Sequence, residues 1–231
     1  PALTYQITSG SLLGGDSFSG TLSRVAGENV GTYDITQGTL TAGANYNLTF
    51  VEGTFTISAR DITVTADDKG KTYGDADPGL TYQITSGTLA FSDAFTGSLT
   101  RDAGEDVGAY AITQGTVALS DNYTLSYVGA ALTISPRPLL AQADNQSRGY
   151  GQPNPALTIT YTGFAGSDSV TSLAELPVAT TLAQTNSPVG AYEIVLSGGS
   201  DTNYSLVLSN GTLTVTPALL TVTADAQSKV Y

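Results

Sequence analysis

The stretch Thr65–Gly87, TADDKGKTYGDADPGLTYQITSG, is written more than once in this chain. Seventy-seven positions after Ala66, Asp67, Tyr73, Gly74, Pro78 and Leu80 stand Ala143, Asp144, Tyr150, Gly151, Pro155 and Leu157. Ala224, Asp225 and Tyr231 restart the pattern, now at a spacing of 81. In the other direction, Tyr82-Gln83-Ile84-Thr85-Ser86-Gly87 matches Tyr5-Gln6-Ile7-Thr8-Ser9-Gly10. A period of 77–81 residues is too long for a solenoid repeat and suits a small domain strung in tandem. Such duplication serves length and multivalency more readily than catalysis.

Each copy reads as short strands. Asp61-Ile62-Thr63-Val64-Thr65-Ala66 alternates polar and apolar with period two, as a half-buried strand does. Leu80–Ile84, Gly97–Arg101 and Ala109–Thr113 follow. Tyr123–Tyr127 and Ala131–Ser135 are expected to form a hairpin around Val128-Gly129-Ala130. Thr and Tyr at this density favour pleated surfaces. Only one stretch per copy has helical spacing, Thr88–Phe95 in the second and Ser167–Leu176 in the third, and it allows one or two turns. The third copy is longer by a net four residues around this stretch, which marks it as peripheral to the core.

The fold class that follows is mostly β: small β-rich domains in tandem, grasp-like or small sandwiches, in an elongated rod. The strand-to-strand joints divide the chain into a first repeat at 1–58 lacking its opening strand, a second at 59–135, a third at 136–217, and the opening strand of a fourth at 218–231. Cutting at the Tyr-Gly loop instead gives three permuted units of near-equal length. The joints are brief, and Pro136, Pro138 and Pro217 restrict rotation there. The chain opens and closes in mid-pattern, so an internal segment of a longer polypeptide is expected, with any targeting signal elsewhere. The incomplete first repeat and the unpaired tail also predict strand exchange, the tail of one molecule completing the first repeat of another.

Composition narrows the function. With 20 acidic and 8 basic residues the net charge is −12, which disfavours nucleic acid and anionic membranes as partners. No apolar run approaches the length of a membrane helix. Only 12% of residues are charged, against roughly 25% in an ordinary soluble domain, so solubility rests on Thr, Ser, Asn, Gln and Gly. Cysteine, methionine, tryptophan and histidine are absent. That removes disulfides, the usual zinc sites and His-dependent triads.

Taken together, Tyr73-Gly74-Asp75 with Pro78 and Leu80-Thr81-Tyr82, then Asp106-Val107-Gly108-Ala109-Tyr110-Ala111-Ile112, then Asn122-Tyr123-Thr124-Leu125, resemble the MBG repeat of the Tyr-Gly type. The resemblance covers essentially the whole chain. The third copy departs mildly, with Gly151-Gln152-Pro153 in place of Gly74-Asp75-Ala76. That repeat occurs in tandem in very large bacterial surface and secreted adhesins, filamentous-haemagglutinin-like proteins among them. The resemblance implies a β-rich, grasp-like domain, a cell-surface or secreted location, and a role in adhesion or in the stalk. It implies no enzymatic activity and supplies no ligand residues.

Among candidate sites, the acidic pairs Asp67-Asp68, Asp75 with Asp77, and Glu105-Asp106 raise the possibility of calcium, which takes six to eight oxygens. The weak metal candidates are therefore Asp67, Asp68, Asp75 and Asp77. The plainer reading is solvated loop carboxylates, and the third copy lacks equivalents of Asp68, Asp75 and Asp77. No other cofactor is expected. Tyr73 and Tyr150, each before a Gly-rich loop, are weak ligand-binding candidates for a glycan. The tyrosines of Gly31-Thr32-Tyr33, Gly108-Ala109-Tyr110 and Gly190-Ala191-Tyr192 read as core aromatics. The Asn-Tyr pairs at Asn45, Asn122 and Asn203 suit a turn before a strand, and two of them coincide with glycosylation sequons. The aspartate at Asp67, Asp144 and Asp225 is expected to serve the turn after the first strand. No catalytic site is visible. The expected function is a structural spacer, with neighbouring repeats as its partners. The alternative is a weak multivalent carbohydrate- or mucin-binding module.

Overall fold

The structure is a computed structural model that describes all 231 residues. The first repeat contributes β1 (Ser23–Arg24), β2 (Gly31–Thr36) and β3 (Gly53–Ile57). The second contributes β4 (Arg60–Ala66), β5 (Lys69–Thr72), β6 (Tyr82–Ser86), β7 (Thr100–Arg101), β8 (Gly108–Thr113), β9 (Tyr123–Val128) and β10 (Ala130–Ser135). The third contributes β11 (Arg137–Ala143), β12 (Gln146–Gly149), β13 (Ile159–Thr162), β14 (Glu175–Thr181), β15 (Gly190–Ser200), β16 (Tyr204–Ser209) and β17 (Gly211–Thr216). The protein is a β-rich array of tandem repeats. The helical spacing at Ser167–Leu176 resolves into one 3-10 turn, Val170–Ser172.

Two compact units emerge. The first comprises Pro1–Asp67, Leu80–Thr100 and Thr113–Ala130, and the second Asp68–Gly79, Arg101–Ile112 and Ala131–Tyr231. The first unit holds the sheet β1-β2-β3 and the sheet β6-β4-β9. Alternation in β4 turns Ile62, Val64 and Ala66 inward. Ile62 and Val64 join Tyr123 in a core, with Tyr82, Phe95 and Leu125 packed against it.

The third repeat lies wholly in the second unit and shows the repeat's design most fully. It has a three-stranded sheet, β13-β11-β16, and a four-stranded one, β12-β17-β15-β14. Ala141 and Ala143 of β11 meet Ile194 and Leu196 of β15 and Leu213 of β17, closing a small two-layer core. A second cluster gathers Leu139, Ala165, Leu173 and Tyr204. The same unit holds the sheet β5-β10-β8-β7, apart from the boundary residues Thr100, Thr113 and Ala130.

The hairpin expected over Tyr123–Ser135 does not form. Strand β9 runs parallel to β4, whereas β10 runs parallel to β5. In the third repeat β16 likewise runs parallel to β11 and β17 parallel to β12. Both chains of each pair change sheet at the same level, so a short link that resembles a hairpin turn is a crossing. The crossing is capped from the side: Thr212 N–H donates to Asn145 Oδ1 at 2.8 Å and Ala131 N–H to Asp68 Oδ1 at 2.9 Å. Gly211 is required there, since a Cβ would collide with the Ala143 carbonyl.

Candidate functional site

The Asn-Tyr pair organises each copy. Tyr123 accepts a hydrogen bond from Ala90 N–H at 2.8 Å and donates to Asp93 Oδ2 at 2.6 Å. Tyr204 accepts from Ala165 N–H at 2.9 Å and donates to Asp168 Oδ2 at 2.6 Å. Tyr46 accepts from Leu13 N–H and donates to Asp16 Oδ2, both at 2.8 Å. The hydroxyl thereby pins the loop that the sequence marked as weakly helical. Burial, with the Asp168 hydrogen bond second, pushes Tyr204 up to about 12.

The asparagine of the pair reaches into the preceding copy. Asn122 Oδ1 accepts Val30 N–H at 2.8 Å, and its amide donates to Asn29 Oδ1 at 3.0 Å. Eighty-one residues on, Asn203 Oδ1 accepts Val107 N–H at 2.9 Å and its amide donates to Asp106 Oδ1 at 2.9 Å. A hydrogen bond to a backbone N–H that would otherwise lack a partner contributes about 1 kcal/mol. The same clasp therefore closes two successive joints. Those joints leave little slack, with Ser58 and Ala59 between β3 and β4, and Pro136 alone between β10 and β11.

At the second joint the three residues of the Tyr-Gly-Asp loop each add contacts. Tyr73 sets its ring edge against Tyr204 at a centroid distance of 5.4 Å, and its hydroxyl donates to Asp168 at 3.1 Å. Burial, then the Asp168 hydrogen bond, raises the Tyr73 phenol. Gly74 has φ +79°, and a Cβ on it would overlap the Ala165 methyl, so both the turn and the close approach demand glycine. Arg137 donates to the Tyr73 carbonyl at 2.9 Å and pairs with Asp75 at 2.9 Å. The candidate site is thus a joint, built from the residues that define the repeat.

The predicted carboxylates do not converge. Asp67 accepts from Thr81 and, at 3.4 Å, from Gln83, and Asp144 accepts from Thr158 at 2.6 Å and Thr160 at 2.7 Å. This aspartate ties the end of the first strand to its antiparallel neighbour and to the residue just before it. Asp68 caps the sheet crossing and Asp75 holds Arg137. Asp77 bridges Lys71 at 2.7 Å and Arg101 at 2.6 Å. Glu105 joins both cations, at 2.5 Å from Lys71. Two cations and two carboxylates neutralise each other there. Hydrogen bonds from Arg101, then Lys71, hold Asp77 down to about 2. In the third repeat Arg148 replaces Lys71, and it donates to Asn154 Oδ1 and the Gln184 carbonyl. No three carboxylates gather where they could hold a metal ion.

Tyr150 is 46% exposed, whereas its equivalent Tyr73 is half-buried in the joint. The Gly-Xaa-Tyr tyrosines are half-buried, and each hydroxyl caps a carbonyl four residues upstream: Asn29 for Tyr33, Asp106 for Tyr110 and Pro188 for Tyr192. The glycines most tightly packed on the Tyr33 and Tyr110 rings are Gly27 and Gly104, where a Cβ would collide, a pairing the Gly-Xaa-Tyr reading missed. The clasp was also missed in the sequence, although Asn-Tyr recurring at 77 and 81 residues was its signal.

Short β domains joined by a repeated clasp define a tandem-repeat β protein. The profile of the MBG domain, YGX type, matches residues 1–56, 62–133 and 139–214, and the chain belongs to that family. The family is a non-catalytic repeat module associated with surface proteins. A search of curated proteins finds no match.

Proposed function

We propose that these repeats are a spacer in the stalk of a bacterial cell-surface or secreted adhesin, giving it length and stiffness. The observation that carries this reading is the clasp. Asn122 and Asn203 make the same pair of hydrogen bonds to the preceding copy, and Tyr73 adds ring packing at the second joint. Residues used to orient neighbours are those a spacer needs, and the tyrosines repeated in all three copies point their hydroxyls at partners inside the protein. No equivalent row of exposed tyrosines offers itself to a sugar, which disfavours the weak multivalent glycan- or mucin-binding module. The acidic side chains at the second joint are engaged by the protein itself, Asp75 with Arg137 and Asp106 with Asn203, which supports a joint braced by side chains.

A glycan and mucin array probed with the chain, with calcium and with chelator, tests the proposal. Background signal in both conditions is expected. Micromolar binding lost on mutating Tyr150 would replace the spacer with a binding module.

A further inference from the structure

Strand β14 closes one edge of the sheet β12-β17-β15-β14, and its outer row differs from those of the other copies. Pro177 is buried and Ala179 packs on the core, so Leu176, Val178 and Thr180 face outward, with Leu182 next in the row. Leu176 is 51%, Val178 59% and Leu182 94% exposed. Ser23 pairs with Thr36 as Thr180 pairs with Val195, and this, with the spacing of 77 between the first two copies, sets all three in register. The same row then reads Ser19, Thr21, Ser23 and Val25 in the first repeat, and Thr96, Ser98, Thr100 and Asp102 in the second. All four second-repeat residues are exposed, although a copy flanks that repeat at both ends. Tandem neighbours therefore leave this row uncovered.

The main chain of β14 is open along the same edge. Leu196 N–H donates to Asn210 Oδ1 at 3.0 Å, turned away from β14. By alternation Val195 and Ser197 bond β14 through Thr180 and Val178, and Pro177, Ala179 and Thr181 direct their main-chain groups to the open edge. We propose that β14 pairs with β14 of a second copy of this chain, antiparallel about a two-fold axis at Ala179. Ala179 then exchanges both hydrogen bonds with its counterpart, and Thr181 N–H donates to the Pro177 carbonyl of the other copy. Pro177 has no N–H, so the ladder stops one bond short at each end.

The row is self-complementary in this register. Leu176 lies opposite Leu182 of the other copy and Val178 opposite Thr180, the cross-strand contacts that stabilise paired strands. Val195, exposed beside Thr180, widens the apolar patch. No charge stands in the row from 176 to 182, whereas the chain carries a net −12, so two copies meet here without setting like charges face to face. The same register in the second repeat sets Thr96 opposite Asp102 and covers nothing apolar. A two-fold contact closes on itself, so assembly ends at two. A strand of seven residues covers little area against the roughly 1,200 Å² of a stable interface, so the pair is weak and reversible.

Sedimentation velocity of the full chain over a concentration series, at physiological ionic strength to screen repulsion between acidic copies, tests this. A monomer–dimer equilibrium with no larger species is expected. Leu176→Thr/Val178→Ser, the residue types that the second repeat carries at these positions, is expected to weaken it roughly tenfold or more, with an unchanged circular dichroism spectrum. A spin label on Ser197→Cys, on the outer face of β15, is expected to show dipolar broadening that grows with concentration, since its counterpart lies about three strand spacings, or ~15 Å, away. The same label on Ala109→Cys in the second repeat is expected to show none. A chain that stays monomeric into the millimolar range overturns the proposal, as does a dimer that survives Leu176→Thr/Val178→Ser or leaves the Ser197→Cys label unbroadened. A monomeric chain that instead binds a labelled alternating threonine–valine peptide gives the edge to a foreign strand and also overturns it.

Discussion

Gly74 and Gly151 have the same place in the repeat and nearly the same backbone, with φ +79° and +83°. Their surroundings differ: a Cβ on Gly74 collides with Ala165, while one on Gly151 meets open space. Left-handed geometry alone penalises alanine by about 1–2 kcal/mol. The overlap adds about 1–3 kcal/mol at Gly74. Chemical denaturation of Gly74→Ala and Gly151→Ala should show the first variant less stable by that difference. Asp77 offers a pH test. Its carboxylate is held down to about 2, from an ordinary 3.8, chiefly by Arg101 and then Lys71. A depressed value stabilises the fold above the ordinary pKa and loses that contribution as pH falls through the folded one. The Asp77 side chain is 42% exposed, so the effect is modest. The stability gap between the protein and Asp77→Asn should shrink as pH drops from about 4 to about 2, read from urea midpoints. Lysine at 71 and arginine at 148 show why this cluster could not be read as a repeated site: each copy solves the same position with different chemistry.

Strands were the legible elements, and their pairing was not. The alternation in Ile62-Thr63-Val64-Thr65-Ala66 gave β4 to within one residue, and the inward face followed from it. The partner of β9 did not follow, because three residues at Val128–Ala130 suit a tight turn as well as a crossing between sheets. Period-two patterning fixes which face is buried but says nothing of which sheet receives it. Asp68 and Asn145, the caps of the crossing, hid the signal by differing between copies and by resembling an acidic pair. The two-faced reading of β11 yields a prediction. Leu139→Ala should destabilise the third repeat by about 2–5 kcal/mol, whereas Gln142→Ala on the exposed face should change stability by about 0.5 kcal/mol or less. Thermal unfolding followed by circular dichroism distinguishes them. Equal effects would mean that the strand's register differs from the one described.

For the molecule as a whole, the period of 77–81 residues made the tandem organisation readable from the order of residues alone. What joins one copy to the next was not readable, because Asn-Tyr serves two masters: the tyrosine pins its own copy, and the asparagine clasps the one before. The absence of cysteine makes this joint accessible to measurement, since spin labels can be placed at will. Ala109→Cys and Leu182→Cys are exposed positions on either side of the second joint. Pulsed dipolar spectroscopy between labels at these positions should give one narrow distance distribution, and adding Tyr73→Ala and Asn203→Ala should broaden it. A broad distribution with Tyr73 and Asn203 intact would contradict a clasped, stiff joint.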